Sequence, residues 1–209
     1  MKHVTNAVRS ALEAAATVLA AREVTARPLE RPNERLRWGR RAQEGIQVPT
    51  ANGRTAILSF AARREAAVAM VRPTLGVFTG SWPQTDLVTQ STATGIWLLV
   101  VLHGPDAPHR FPMPMRLAEH LGMETMPSGA VDVVDQPTGS TVGRLLRPWA
   151  CDAMYRQLPV EYTLEGSTVT LQIPHHDAQY PVLATCLYTD SSSSTRFTAG
   201  ALSSFPAAS

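Results

Sequence analysis

A chain of 209 residues with 44% hydrophobic and 17% charged side chains is long enough for one core of ordinary size and too apolar to stay unfolded throughout. No run approaches the roughly 18 apolar residues of a membrane-spanning helix, and the longest aliphatic stretch, Ile96 to Leu102, has the length of a strand, so no membrane span is expected. The net charge of +2 divides into +7 over residues 1–72 and −5 over residues 73–209, a basic front on an acidic body that suits either polyanion binding by the front or attraction between the two parts.

Residues 5–22 are rich in strong helix formers, and Val8, Leu12, Ala15, Val18 and Leu19 recur at three- and four-residue spacings, which predicts an amphipathic N-terminal α-helix capped by Thr5 or Asn6. The competing reading is a secretory signal, with Lys2, His3 and Arg9 as its basic front and Ala11 to Ala21 as its apolar stretch, against which Glu13 stands as an internal charge. Residues 23–44 are arginine-rich and broken by Pro28 and Pro32, so they read as a linker. Within them Arg35, Arg37, Arg40 and Arg41 are the candidate contacts for nucleic acid or another polyanion, with Trp38 stacking on bases; the plainer reading is a solvated tether with one anchoring tryptophan.

From Gly45 the periodicity changes to two residues. Asn52-Gly53 supplies the positive φ angles of a tight hairpin turn between IQV and TAILSF. Further strands are expected at Leu75 to Thr79, Asp86 to Thr92, Gly95 to Leu102, His109 to Pro114, Val131 to Val134, Thr141 to Leu146, Val160 to Leu164, Ser167 to Ile173 and Tyr180 to Ala184. The clearest hairpin is VEYTLEGSTVTLQI, where Val160, Tyr162 and Leu164 share a face with Val169, Leu171 and Ile173. The expected fold is therefore mostly β, an antiparallel sandwich or open barrel over residues 45–186, preceded by the helix (1–22) and linker (23–44) and followed by a Ser/Thr/Ala-rich tail over 187–209.

Tests for chemistry find little. His175-His176-Asp177 is the densest set of metal-ligand types, but adjacent histidines on an extended chain point to opposite faces, so both would have to leave the strand and meet His103, His109 or His120. Asp132, Asp135 and Asp152 could pair as catalytic carboxylates only if the fold set their separation. No nucleophile elbow, zinc-protease motif or phosphate loop is present, and no cofactor is implied. Trp82, Trp97 and Trp149 read as core or core rim rather than ligand-stacking residues. Met113, Met115, Met123 and Met126 read as a satellite core rather than a partner groove.

In order, TDLVTQSTATG, DAPHRF, VDVVD, PWACDA, YTLEGSTVTLQI and YPVLA run through the body of the chain, and this succession resembles a β-rich region of secreted actinobacterial proteins, streptomycete-type ones included. The resemblance spans about residues 46–184 and implies an extracellular protein, with a cytoplasmic one as the alternative. That group carries no established activity. It closes on Ala-Asp-Pro, whereas this chain has Ala184-Thr185-Cys186. The implied function is a non-enzymatic accessory or interaction domain with an unidentified protein partner. The alternatives are a self-assembling shell subunit with a basic N-terminal arm, and a hydrolase whose site the sequence does not display. Cys151 and Cys186 fall in the PWACDA and closing elements, on either side of the clearest hairpin, and are the candidate disulfide.

Overall fold

The computed structural model describes Glu13, residues 35–63 and residues 66–190. Sixteen strands follow in chain order: β1 (Arg37–Trp38), β2 (Ile46–Pro49), β3 (Thr55–Leu58), β4 (Val68–Arg72), β5 (Leu75–Trp82), β6 (Thr85–Ser91), β7 (Gly95–Leu102), β8 (Arg110–Arg116), β9 (Leu121–Thr125), β10 (Val131–Asp135), β11 (Ser140–Leu145), β12 (Trp149–Cys151), β13 (Gln157–Leu158), β14 (Glu161–Glu165), β15 (Thr168–Gln172) and β16 (Val182–Thr189). They form two sheets, one of six strands in the order β1-β2-β3-β8-β15-β14 and one of ten, whose main path is β4-β5-β6-β7-β16-β11-β10-β9. Every pairing is antiparallel, and neither sheet closes on itself. Short turns make this order: Gly53 and Gly166 take φ of +80° and +59° in the tips of the β2–β3 and β14–β15 hairpins, a conformation that costs a residue without a side chain little.

The main core lies between the sheets. From the ten-stranded sheet come Phe78, Leu87, Ile96, Leu98, Val100, Cys186 and Tyr188, and from the six-stranded one Ile46, Leu58, Phe111, Met113, Val169 and Leu171. In the β14–β15 hairpin Tyr162 stands opposite Leu171 and Leu164 opposite Val169, so one face carries the apolar residues as the alternation requires. Tyr188 ties the layers directly, its hydroxyl donating to the Pro49 carbonyl at 2.9 Å.

Beside β16, the chain from Ser140 to Cys151 runs as two strands. Arg144 and Leu145 pair with Thr189 and Tyr188, and Trp149 to Cys151 pair with Thr185 to Leu183. Pro148 sits between the two paired stretches, where it has no amide to give the ladder.

Several expectations are revised. β1 lies inside the stretch read as linker, and Trp38 packs against the main core while its indole N–H donates to Thr89 Oγ1 at 3.0 Å, which makes it an anchor of the six-stranded sheet. β4 and β9 were not anticipated, because AVAMVR and LGMET lack clean alternation. β16 runs to Thr189, past the expected end at Ala184, since half-buried Thr185 and Leu187 alternate with buried Cys186 and Tyr188. The helix expected over 5–22 lies outside the described residues apart from Glu13, as does residue 191 onward of the tail. Among the described residues no helix is long and apolar enough to cross a membrane.

The Cys151–Cys186 bridge is not formed. Both residues are buried thiols on opposite faces of the ten-stranded sheet: Cys186 faces the main core, and Cys151 joins a second apolar cluster on the outer side. Their strands are hydrogen-bonded neighbours, but Cys151 stands opposite Leu183, three residues from Cys186. Side chains on opposite faces of a sheet cannot meet without turning a strand over. Burial pushes the Cys186 thiol up to about 12, against the neighbouring Tyr162 hydroxyl, which offsets part of that rise. Thiol titration of the unfolded, unreduced chain is expected to find two sulfhydryls; finding none would contradict this arrangement.

Candidate functional site

At the end of the sandwich where β12 turns towards β13, Asp152 organises a tight loop. Its carboxylate is buried and Oδ1 accepts from the amides of Met154 (3.0 Å) and Arg156 (2.9 Å), while Oδ2 accepts from Arg156 Nε (3.2 Å) and the Gln179 amide (3.3 Å). The backbone closes the same turn through Tyr155 N to Asp152 O and Asp152 N to Arg156 O, and Ala153 N to Gln179 O joins it to the loop after β15. Burial by itself would raise the Asp152 carboxyl, but the amides of Arg156, Gln179 and Met154 outweigh it and hold the group below its ordinary value.

What this network holds up is unusual for a small turn. Met154 is 72% and Tyr155 51% exposed, and Tyr155 sits at φ of +61°, a left-handed conformation rare for an aromatic residue. Arg156 completes the ridge, and its guanidinium also donates to the Asp177 carbonyl. Sequence reasoning missed this element. The available signal was Asp152 followed by amides two and four residues on, the pattern of a carboxylate that caps its own turn.

The second feature of this region is the histidine group. His175 and His176 do leave the strand, since β15 ends at Gln172, and His109 does come near: its ring lies 4.3 Å from that of His175 and 4.2 Å from that of His176, centroid to centroid. The result is a cluster of rings, His109 tilted against the other two, rather than a set of converging nitrogens. His175 is buried and both its nitrogens are engaged, Nδ1 with the Tyr180 hydroxyl at 2.8 Å and Nε2 with the Pro108 carbonyl at 3.2 Å. A carbonyl only accepts, so neutral His175 carries its proton on Nε2. Among the described residues no group of three or more His, Cys, Asp or Glu is placed to hold a metal ion.

Burial, aided by the neighbouring His109 and His176, lowers the His175 pKa below its ordinary 6.5. The unfolded chain therefore binds this proton more readily than the folded one. Stability is expected to be greatest above the unfolded value and to fall as pH drops from about 6.5 towards the depressed folded value. Thermal unfolding between pH 7 and pH 5 checks this, and His175→Gln should flatten the slope.

The remaining candidates are dispersed. Asp132 is buried on β10, paired with Arg144 and accepting from Thr141 Oγ1 at 3.0 Å, and Asp135 accepts from Thr138 Oγ1 at 2.7 Å. Each carboxylate, like Asp152, sits in its own network. His103 Nε2 contacts Asp86 Oδ2 at 2.8 Å at the end of β7, and His120 lies beside Glu119, so neither joins the His109 group. Trp82 is core, edge-on to Phe111, with its N–H donating to Ala61 O; Trp97 and Trp149 are half-buried on the outer face of the ten-stranded sheet. Met113 and Met115 are core, and Met123 packs against it.

Of the four arginines, Arg37 on β1 and Arg40 and Arg41 between β1 and β2 are exposed, while Arg35 is drawn to Asp190 (3.3 Å) and to the Thr50 carbonyl (2.9 Å). Comparison of the chain with protein-family models, curated proteins and solved structures found no match.

Proposed function

We propose that this chain is a non-enzymatic interaction domain of the cell exterior that binds a protein partner through the ridge Met154-Tyr155-Arg156. The observation that carries the proposal is the exposure of Met154 and Tyr155 on a turn whose Met154 and Arg156 amides both donate to a buried carboxylate. Left-handed backbone at a non-glycine residue costs on the order of 1–3 kcal/mol and persists only where its surroundings impose it. Two large side chains left this exposed bury little apolar surface for the fold. A partner gains from both, because aromatic and arginine anchors dominate binding energy and a pre-organised loop has little entropy left to lose.

The non-enzymatic reading is supported by the commitment of the most plausible reactive groups: Asp152, Asp132 and His175 each spend their polar atoms on the fold. The exterior setting is supported by the resemblance to secreted actinobacterial proteins. Photocrosslinking tests the proposal. A photoreactive phenylalanine at position 155 should yield one discrete adduct among the exterior proteins of the producing cell, and the same group at Glu165, on the β14–β15 turn, should not. Equal labelling from both positions, or none from 155, would overturn it.

A further inference from the structure

The middle of the ten-stranded sheet is buried on both faces. All seven residues of β6 are buried, and so are seven of the eight in β7. Alternate residues of a strand point to opposite sides, so each side needs a covering layer. The six-stranded sheet covers the inner side. On the outer side stand Leu75, Val77, Val88, Leu99, Val101, Cys151 and Leu183, none more than 6% exposed and five of them, Val77, Val88, Leu99, Val101 and Leu183, at 0%. Yet every member of that cluster, with the half-buried Ala69, Val71 and Trp149 around it, belongs to the ten-stranded sheet itself. Among the described residues no apolar side chain from outside the sheet joins this cluster.

We propose that residues 5–22, as an amphipathic helix, are that layer and lie across the outer face of β5, β6, β7 and β16. Three features select this segment. Its apolar stripe (Val8, Leu12, Ala15, Val18 and Leu19) offers the chemistry the face demands, while the polar run after Asp190 offers none of comparable periodicity. Eighteen helical residues measure about 27 Å, the length of an eight-residue strand such as β7 or β16. The chain also enters from the right place. Arg35 is held by Asp190 just beyond the end of β16, and the twelve residues 23–34 can span up to about 40 Å when extended. Glu13, which the stripe places on the opposite side of the helix, is helical and exposed.

The two cysteines provide the test, because Cys151 lies on the outer face under the proposed cover and Cys186 lies in the main core. In the full-length protein both thiols should resist alkylation. In the full-length double variant Leu12→Glu/Val18→Glu, Cys151 should react at least about ten times faster while Cys186 stays protected. Continued protection of Cys151 would overturn the proposal and point to another segment or a second copy on this face.

Should that variant lose its fold, which Cys186 would report by reacting at the same rate, proximity decides. With Cys186→Ala leaving Cys151 as the native thiol, a single cysteine introduced at Leu12, Ala15 or Val18 should be joined to Cys151 within one chain by a short bifunctional maleimide. One introduced at Arg9 or Glu13 should not. No adduct from any stripe position, or equal yield from the outward ones, would contradict the docking.

Discussion

Replacing Asp152 with alanine is expected to destabilise the protein by about 3 kcal/mol, the scale for removing a buried charged acceptor and leaving its donors unsatisfied. Four donors converge on this carboxylate, three of them backbone amides whose positions the turn fixes. Loss should be felt first in the 152–156 turn and the loop at Gln179, so their amides should exchange with solvent much faster than those of β7 and β16. Asp152→Asn should cost less but not zero, since one side-chain oxygen becomes a donor facing donors.

The same residue carries an acid limb. Its folded pKa lies below the unfolded value near 3.9, so its contribution is complete above that value and is lost as pH falls through the folded one. Urea unfolding at pH 7 and pH 3 should show the gap between wild type and Asp152→Ala narrowing in acid.

Gly95→Ala should cost about as much, for a different reason. Gly95 opens β7 directly opposite Thr189, and a methyl group there would run into the Tyr188 carbonyl and the Thr189 Cα of the adjacent strand. Backbone pinned by an eight-residue ladder cannot step aside, so the added atom should destabilise by about 3 kcal/mol, the upper part of the range for overpacking. Gly122→Ala offers the contrast. Its closest neighbour is the Gln136 side-chain amide at 3.0 Å, a flexible group that can move, and the expected cost is about 1 kcal/mol or less. Denaturation midpoints of the two variants separate these cases; equal losses would contradict the packing around β7 and β16.

The β architecture was legible because alternation and turn chemistry agreed. Asn52-Gly53 and Glu165-Gly166 marked hairpins that form, the second with the expected apolar face, and Gly95 to Leu102 is a strand with the expected ends. β4 and β9 were hidden because edge strands with mixed exposure lose the period-two signal. The cysteine pairing failed for a reason that sequence could not supply. Neighbouring strands do bring the two residues near, but which face each thiol takes depends on the register of β12 on β16, and that is set by the break at Pro148. The Met154-Tyr155 ridge was invisible for a similar reason, since nothing in the letters DAMYR announces a tyrosine at positive φ.

The functional reading stands or falls on that ridge. With the protein captured from position 155 in hand, titration calorimetry of wild type and Met154→Ala/Tyr155→Ala is the most direct measurement. The expected result is a loss of affinity of about 30-fold or more, the scale of a truncated hot spot of about 2 kcal/mol, with an unchanged melting temperature because neither side chain packs in the core. Unaltered affinity, or a loss matched by a fall in melting temperature, would contradict it.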